Sequence, residues 1–127
     1  MADNAGDKTI LIVDDDRDIL TALEEALGGL GAKIMTASDG DSAIAQTDKH
    51  HPDLVILDMM LPKRSGLLVM EKIGRTKKQT GRPRVIMITG NEGERHRVYA
   101  KSLGVDRYFN KPFRMEKLVE AAQELLP

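Results

Sequence analysis

Short apolar runs recur along this chain at helix-length intervals, and that alternation restricts its fold more than any other feature. The runs are ILIV (10–13), KIMTA (33–37), DLVILD (53–58), RVIMITG (84–90) and the weaker DRYFN (106–110). A short apolar run alone does not separate a buried strand from a buried helical turn, so the segments between the runs decide. Residues 17–30 place Ile19, Leu20, Leu23, Ala26, Leu27 and Leu30 at three- and four-residue steps and meet Gly28, Gly29 and Gly31 as stop signals. That spacing predicts a helix with one apolar stripe. Four more helical patches are expected at 41–46, 67–73, 92–103 and 114–126. The last is the clearest, with Met115, Leu118, Val119, Ala122 and Leu125.

Strand and helix thus alternate five times. Such alternation implies parallel pairing through right-handed crossovers, and strands without polar alternation imply burial on both faces. The expected fold is α/β, a doubly wound (βα)5 three-layer sandwich with the flavodoxin-like strand order 2-1-3-4-5. At 127 residues one domain is expected, over 8–127, after a small polar tail at 1–7 that reads as disordered.

Composition removes several classes of function. Lys and Arg number 19 against 20 for Asp and Glu, so no bias toward polyanions is present. The five basic residues of RTKKQTGRPR (75–84) lack interleaved aromatics and read as a solvated loop between helix 3 and strand 4, not as a nucleic-acid contact. His50 and His51 precede Pro52 at the end of helix 2 without a third metal ligand, and read as a turn; His96 reads as surface. Cysteine is absent, which removes disulfides and thiol chemistry and suits a reducing interior. No apolar run approaches the roughly 20 residues that span a bilayer. The expectation is a cytoplasmic protein with no membrane contact.

The chemistry gathers at the strand ends. Strand 1 runs into Asp14, Asp15 and Asp16; strand 3 ends at Asp58, strand 4 at Thr89, and Lys111 follows strand 5. In the expected topology strands 1 and 3 are neighbours about 4.8 Å apart, and ligands bind at their carboxyl ends. Two like charges about 4 Å apart repel by about 1 kcal/mol in water and about 4 kcal/mol at an effective dielectric near 20. Solvent, a helix N-terminus, a shared proton or a bound cation must offset that cost. The inventory of carboxylates suits Mg²⁺ with phosphate oxygens. Lys111 offers a point charge to a phosphoryl group, Thr89 a hydroxyl, and the isolated Asp58 a nucleophile.

These residues stand in motifs that closely resemble the receiver domains of two-component response regulators: ILIVDDD with the acidic pair Asp14 and Asp15, DLVILDMMLP with Asp58, MITG with Thr89, and YFNKPF with Tyr108 and Lys111-Pro112. The resemblance covers about residues 8–126. It implies a signalling switch and not a metabolic enzyme. Asp58 would take a phosphoryl group from a histidine kinase or a histidine phosphotransfer protein. Mg²⁺ would be held by Asp15, Asp58 and the backbone carbonyl of Met60, and by Asp14 largely through water. Thr89 and Tyr108 would move toward the site and repack the face of helix 4, strand 5 and helix 5. A downstream protein would read that face, a weak homodimer could form through it, and a cis peptide bond is expected at Lys111-Pro112. With Pro127 directly after helix 5, the expected type is a stand-alone receiver that binds a target or relays phosphate.

Two rival readings belong beside it. VDDDRD also fits a phosphatase of the haloacid dehalogenase type, with Asp14 as nucleophile and Asp16 as general acid, although no late acidic pair supports it. A receiver-like module that is never phosphorylated is the other. Asp16 reads equally as a helix cap and as a metal contact.

Overall fold

Period-two alternation in the strands sorts their side chains into two apolar layers, one on each face of a parallel sheet. The computed structural model describes residues 7–90 and 94–126. Positions 1–6 of the expected tail and 92–93 of the expected fourth helix lie outside the described residues. The elements are β1 (Thr9–Val13), α1 (Arg17–Gly28), β2 (Lys33–Ala37), α2 (Gly40–His50), β3 (Leu54–Asp58), α3 (Gly66–Thr80), β4 (Arg84–Thr89), α4 (Glu94–Ser102), β5 (Arg107–Asn110) and α5 (Met115–Leu125). The sheet order is β2-β1-β3-β4-β5 with every pairing parallel, as the alternation of runs and helices predicts.

Leu11, Val13, Val55, Leu57, Val85 and Met87 face α2, α3 and α4, where they pack with Ala43, Val69, Met70, Ile73 and Ala100. Ile10, Ile12, Leu54, Ile56, Ile86 and Ile88 face α1 and α5, against Leu23, Leu27, Leu118, Ala121 and Ala122. Each fully buried Leu or Ile contributes about 1.5–3 kcal/mol, so the central strands β1, β3 and β4 dominate the core. The edge strands are less enclosed.

Helix boundaries depart from the sequence reading where polar residues continue a helix. α3 runs on through Thr80, so Arg75, Lys77 and Lys78 are helical and not part of a loop. The apolar stripe stops at Ile73, but the straight-chain residues beyond it are good helix formers and the lysines sit favourably at the negative end of the helix dipole. Gly81, at φ 79°, closes the helix by donating its N–H to the Lys77 carbonyl. α2 likewise extends to His50 and closes on His51 in the left-handed region, φ 48°. α1 stops at Gly28, two residues before Leu30. His96 is half-buried, less open than the surface reading expects.

Two carboxylates stitch the amino ends of the strands. Asp53 accepts the Thr9 N–H at 2.9 Å and the Arg82 guanidinium at 2.8 Å. Asp106 accepts the Val85 N–H at 2.7 Å and pairs with Lys77 at 2.9 Å and Arg84 at 3.3 Å. Among the described residues, no helix is long and apolar enough to cross a membrane.

Candidate functional site

The register of the sheet carries the acidic residues to one crevice at the opposite end. Val13 pairs with Leu57, so Asp14 and Asp58 emerge side by side, and both are almost wholly buried, at 1% and 3% exposure. Asp15 follows Asp14 on the exposed lip. Carboxylate oxygens of Asp14, Asp15 and Asp58 lie within 4.8 Å of one another.

Each buried acid is held from its own backbone neighbour. Asp14 donates its N–H to the Ala37 carbonyl at 3.1 Å, and its Oδ1 accepts the Asp16 N–H at 2.9 Å. Asp58 Oδ1 accepts the Met60 N–H at 3.1 Å. Lys111 reaches in from beyond β5, with Nζ 3.5 Å from Asp14 Oδ2 and 3.6 Å from Asp58 Oδ2. Its backbone N–H donates to the Thr89 carbonyl at 2.7 Å, which fixes the loop to the end of β4, and the Lys111-Pro112 bond is cis as expected.

Thr89 is fully buried at the end of β4, with Oγ1 3.6 Å from Met59 Sδ. Tyr108 lies on β5 opposite Met87, half-buried against the layer under α2, α3 and α4. The loop after β3 is packed tightly: Gly66 donates its N–H to the Met59 carbonyl at 2.8 Å, and a Cβ there would collide with the Asp58 carbonyl oxygen and lie 2.7 Å from Met59 Cα. Met60 is exposed beside Asp58.

Burial governs the electrostatics. Desolvation, with the Asp14 charge adding to it, pushes the Asp58 carboxyl up to about 6, against the pull of the Met60 N–H and the Lys111 ammonium. Desolvation also raises Asp14, opposed by the Asp16 N–H and Lys111. Asp14 and Asp58 thus share one ammonium, with the Asp15 carboxylate adjacent. Asp14 Oδ2 is buried, with the Lys111 ammonium at 3.5 Å as an ion pair and no closer hydrogen-bond partner among the described residues. A buried oxygen in that condition, within a three-carboxylate set, fits a hard divalent cation such as Mg²⁺.

Of the residues singled out from the sequence, Asp14, Asp15, Asp58 and Lys111 come together, Thr89 ends the adjacent strand, and Tyr108 lies further along β5. Asp16 does not join the cluster. Its carboxylate caps α1, accepting from the Asp18 and Ile19 N–H groups. Two structural partners carried no sequence signal: Gly66, one glycine among 11, and Arg97, a helical arginine whose guanidinium lies over the Tyr108 ring.

The sequence pattern of the response regulator receiver domain matches residues 10–123. This chain belongs to the response regulator receiver family. The receiver domain is 38% identical over 106 residues to the alkaline phosphatase synthesis transcriptional regulatory protein PhoP of Bacillus subtilis, covering 84% of this chain and 43% of that protein. It is 37% identical over 117 residues to the transcriptional regulatory protein CpxR of Escherichia coli, covering 92% and 48%. The chain spans about half the length of these curated relatives. Among solved structures, a CheY-like receiver domain from Methanospirillum hungatei superposes with TM-score 0.84 at 29% identity, covering 94% of this chain and 93% of that one. The BeF3-activated DrrB receiver domain superposes with TM-score 0.83, also at 29% identity, covering 94% and 97%.

Proposed function

We propose that this receiver domain is a phosphorylation switch, loaded at Asp58 from a phosphohistidine of a histidine kinase or a histidine phosphotransfer protein. The observation that carries the reading is the pairing of a buried, poorly solvated Asp58 with the Lys111 ammonium, 3.6 Å away, inside a cluster of acids that lacks full compensation. An oxygen of Asp58 forms the new O–P bond as the N–P bond of the donor breaks, and the electron pair of that bond returns to the histidine. Asp14, Asp15, Asp58 and the backbone carbonyl of Met60 would hold Mg²⁺, which when bound supplies positive charge to the phosphoryl oxygens.

Lys111 then orients the transferred group as a point charge, and the Thr89 hydroxyl donates to it. Those charge-assisted hydrogen bonds, formed in one state only, are large enough to shift a two-state balance. Thr89 and Tyr108 move toward the phosphoryl group, and the face of α4, β5 and α5 changes shape. A downstream protein reads that face in the cytoplasm, with weak self-association through the same surface. The domain accelerates its own loading and hydrolysis and turns over no other substrate.

The test is incorporation of phosphate from acetyl phosphate. The expected result is Mg²⁺-dependent labelling that a chelator removes and that Asp58→Asn abolishes. Labelling that survives Asp58→Asn overturns the assignment. Hydrolysis of small phosphate esters, lost in Asp14→Asn but kept in Asp58→Asn, would support the phosphatase alternative. The cap formed by Asp16 weighs against that alternative, because its carboxylate is occupied with the N–H groups of α1.

A further inference from the structure

We propose that Gly40 is a positioning residue for the phosphorylation site: lacking a side chain, it lets residues 62–64 seat against the first turn of α2, and that seat sets where Met60 lies beside Asp58. The inference deepens the function proposed above and rests on it, because Met60 there offers its carbonyl to Mg²⁺. It begins with the shape of the loop from β3 into α3. The Gly66 N–H donates to the Met59 carbonyl at 2.8 Å, so the loop is closed at its base. Its tip, Pro62, Lys63 and Arg64, is exposed. Lys63 stands in the left-handed region, φ 68°, a conformation that is unfavourable for a residue with a Cβ and persists where the surroundings impose it.

The start of α2 supplies those surroundings. The Gly40 N–H, one of the donors that the first turn of a helix leaves over, donates to the Pro62 carbonyl at 3.3 Å. Arg64 Nε pairs with Asp41 at 2.6 Å, and Lys63 Nζ stands 3.7 Å from Asp39. Between these contacts backbone meets backbone. Gly40 is buried, and a Cβ on it would collide with the Arg64 carbonyl oxygen and lie 2.8 Å from the Arg64 carbonyl carbon.

A side chain at position 40 must therefore displace one of the two partners. α2 is the better anchored: it buries Ala43 and Thr47, and the Asp39 carboxylate caps it by accepting the Ser42 N–H at 2.8 Å. The exposed tip yields instead, and Leu61, packed into the layer that holds Ala43, carries the displacement back to Met60. There the Met60 N–H donates to Asp58 Oδ1 at 3.1 Å. Mg²⁺ demands near-ideal octahedral geometry, so a small shift of a ligand group costs affinity. Loss of support behind a metal ligand typically costs about 10- to 100-fold, and a shift passed along the chain belongs at the lower end.

The experiment compares the full chain with Gly40→Ala by two readouts, the Met60 amide resonance in chelator and calorimetric titration with Mg²⁺. In Gly40→Ala the Met60 amide is expected to move, as its bond to Asp58 is altered, and Mg²⁺ affinity to fall about ten-fold. Leu125→Ala, which loses a buried contact on α5, should lower the unfolding midpoint and leave both readouts in place. An equal loss of Mg²⁺ affinity in Leu125→Ala means general loosening and overturns the proposal. So does Gly40→Ala with an unmoved Met60 amide or an unchanged Mg²⁺ affinity. Should Gly40→Ala not fold, Asp41→Asn, which releases Arg64 at the surface, decides by the same readouts, with a loss of about two-fold expected. Failure of the unaltered chain to bind Mg²⁺ overturns the functional reading instead, and is told apart because the Met60 amide still moves in Gly40→Ala.

Discussion

A carboxylate buried beside two others weakens the fold that holds it. The Asp58 carboxyl, at about 6 in the folded protein against 3.8 as the ordinary value, binds its proton more tightly folded than unfolded. Stability therefore rises as pH falls from 6 toward 4, and above 6 the full cost of ionising the buried group is borne, on the order of 3 kcal/mol. In chelator, Asp58→Asn should be more stable than the unaltered chain at pH 7 by up to that amount, and the two should converge near pH 4. Urea unfolding across that range measures it. Asp16 behaves differently, because its carboxylate is satisfied by the amides of α1. Asp16→Ala should cost about 1 kcal/mol of stability, read by the same unfolding curves, and leave Mg²⁺ affinity close to its original value. At this scale the convergence of Asp14, Asp15, Asp58 and Lys111 was legible because each lies at or just past the carboxyl end of a strand, where a parallel sheet of this order gathers its side chains. Asp16 was not, since capping and metal ligation call for the same side chain. Arg97 was invisible because a surface arginine shows its partner only once β5 and α4 are placed together.

Among the elements, the loop from β3 into α3 is packed with little room to change. Gly66 lies so close to the Asp58 carbonyl and Met59 Cα that a methyl group would push the strand end aside. Gly66→Ala should therefore cost about 1–3 kcal/mol and also weaken Mg²⁺ binding, because the backbone that carries Asp58 and Met60 must shift. Calorimetric titration with Mg²⁺ alongside chemical unfolding checks both effects. The positions of the elements were readable from apolar spacing, whereas their lengths were less so. α3 outlasts its apolar stripe by two turns, since helix propensity and a left-handed Gly81 carry it to Thr80 after burial has ceased to guide it. Apolar periodicity reports which face is covered, and it is silent where a helix projects into solvent.

For the molecule as a whole, parallel pairing followed from alternation because parallel strands need crossovers and crossovers have one hand, while the order came from the flavodoxin-like arrangement usual for five strands. Mg²⁺ binding to the folded chain alone should raise its unfolding midpoint with concentration, as mass action requires, and the rise should vanish in Asp58→Asn; scanning calorimetry over a Mg²⁺ series measures it. Asp53 and Asp106, at the amino ends of the strands, each meet their own cations and amides. At the carboxyl ends, Asp14 and Asp58 divide one lysine, with Asp15 close beside them. The sheet thus has a quenched pole and a hungry one: charge is balanced at the amino ends of the strands and left in deficit at the crevice proposed to take a cation and a phosphoryl group.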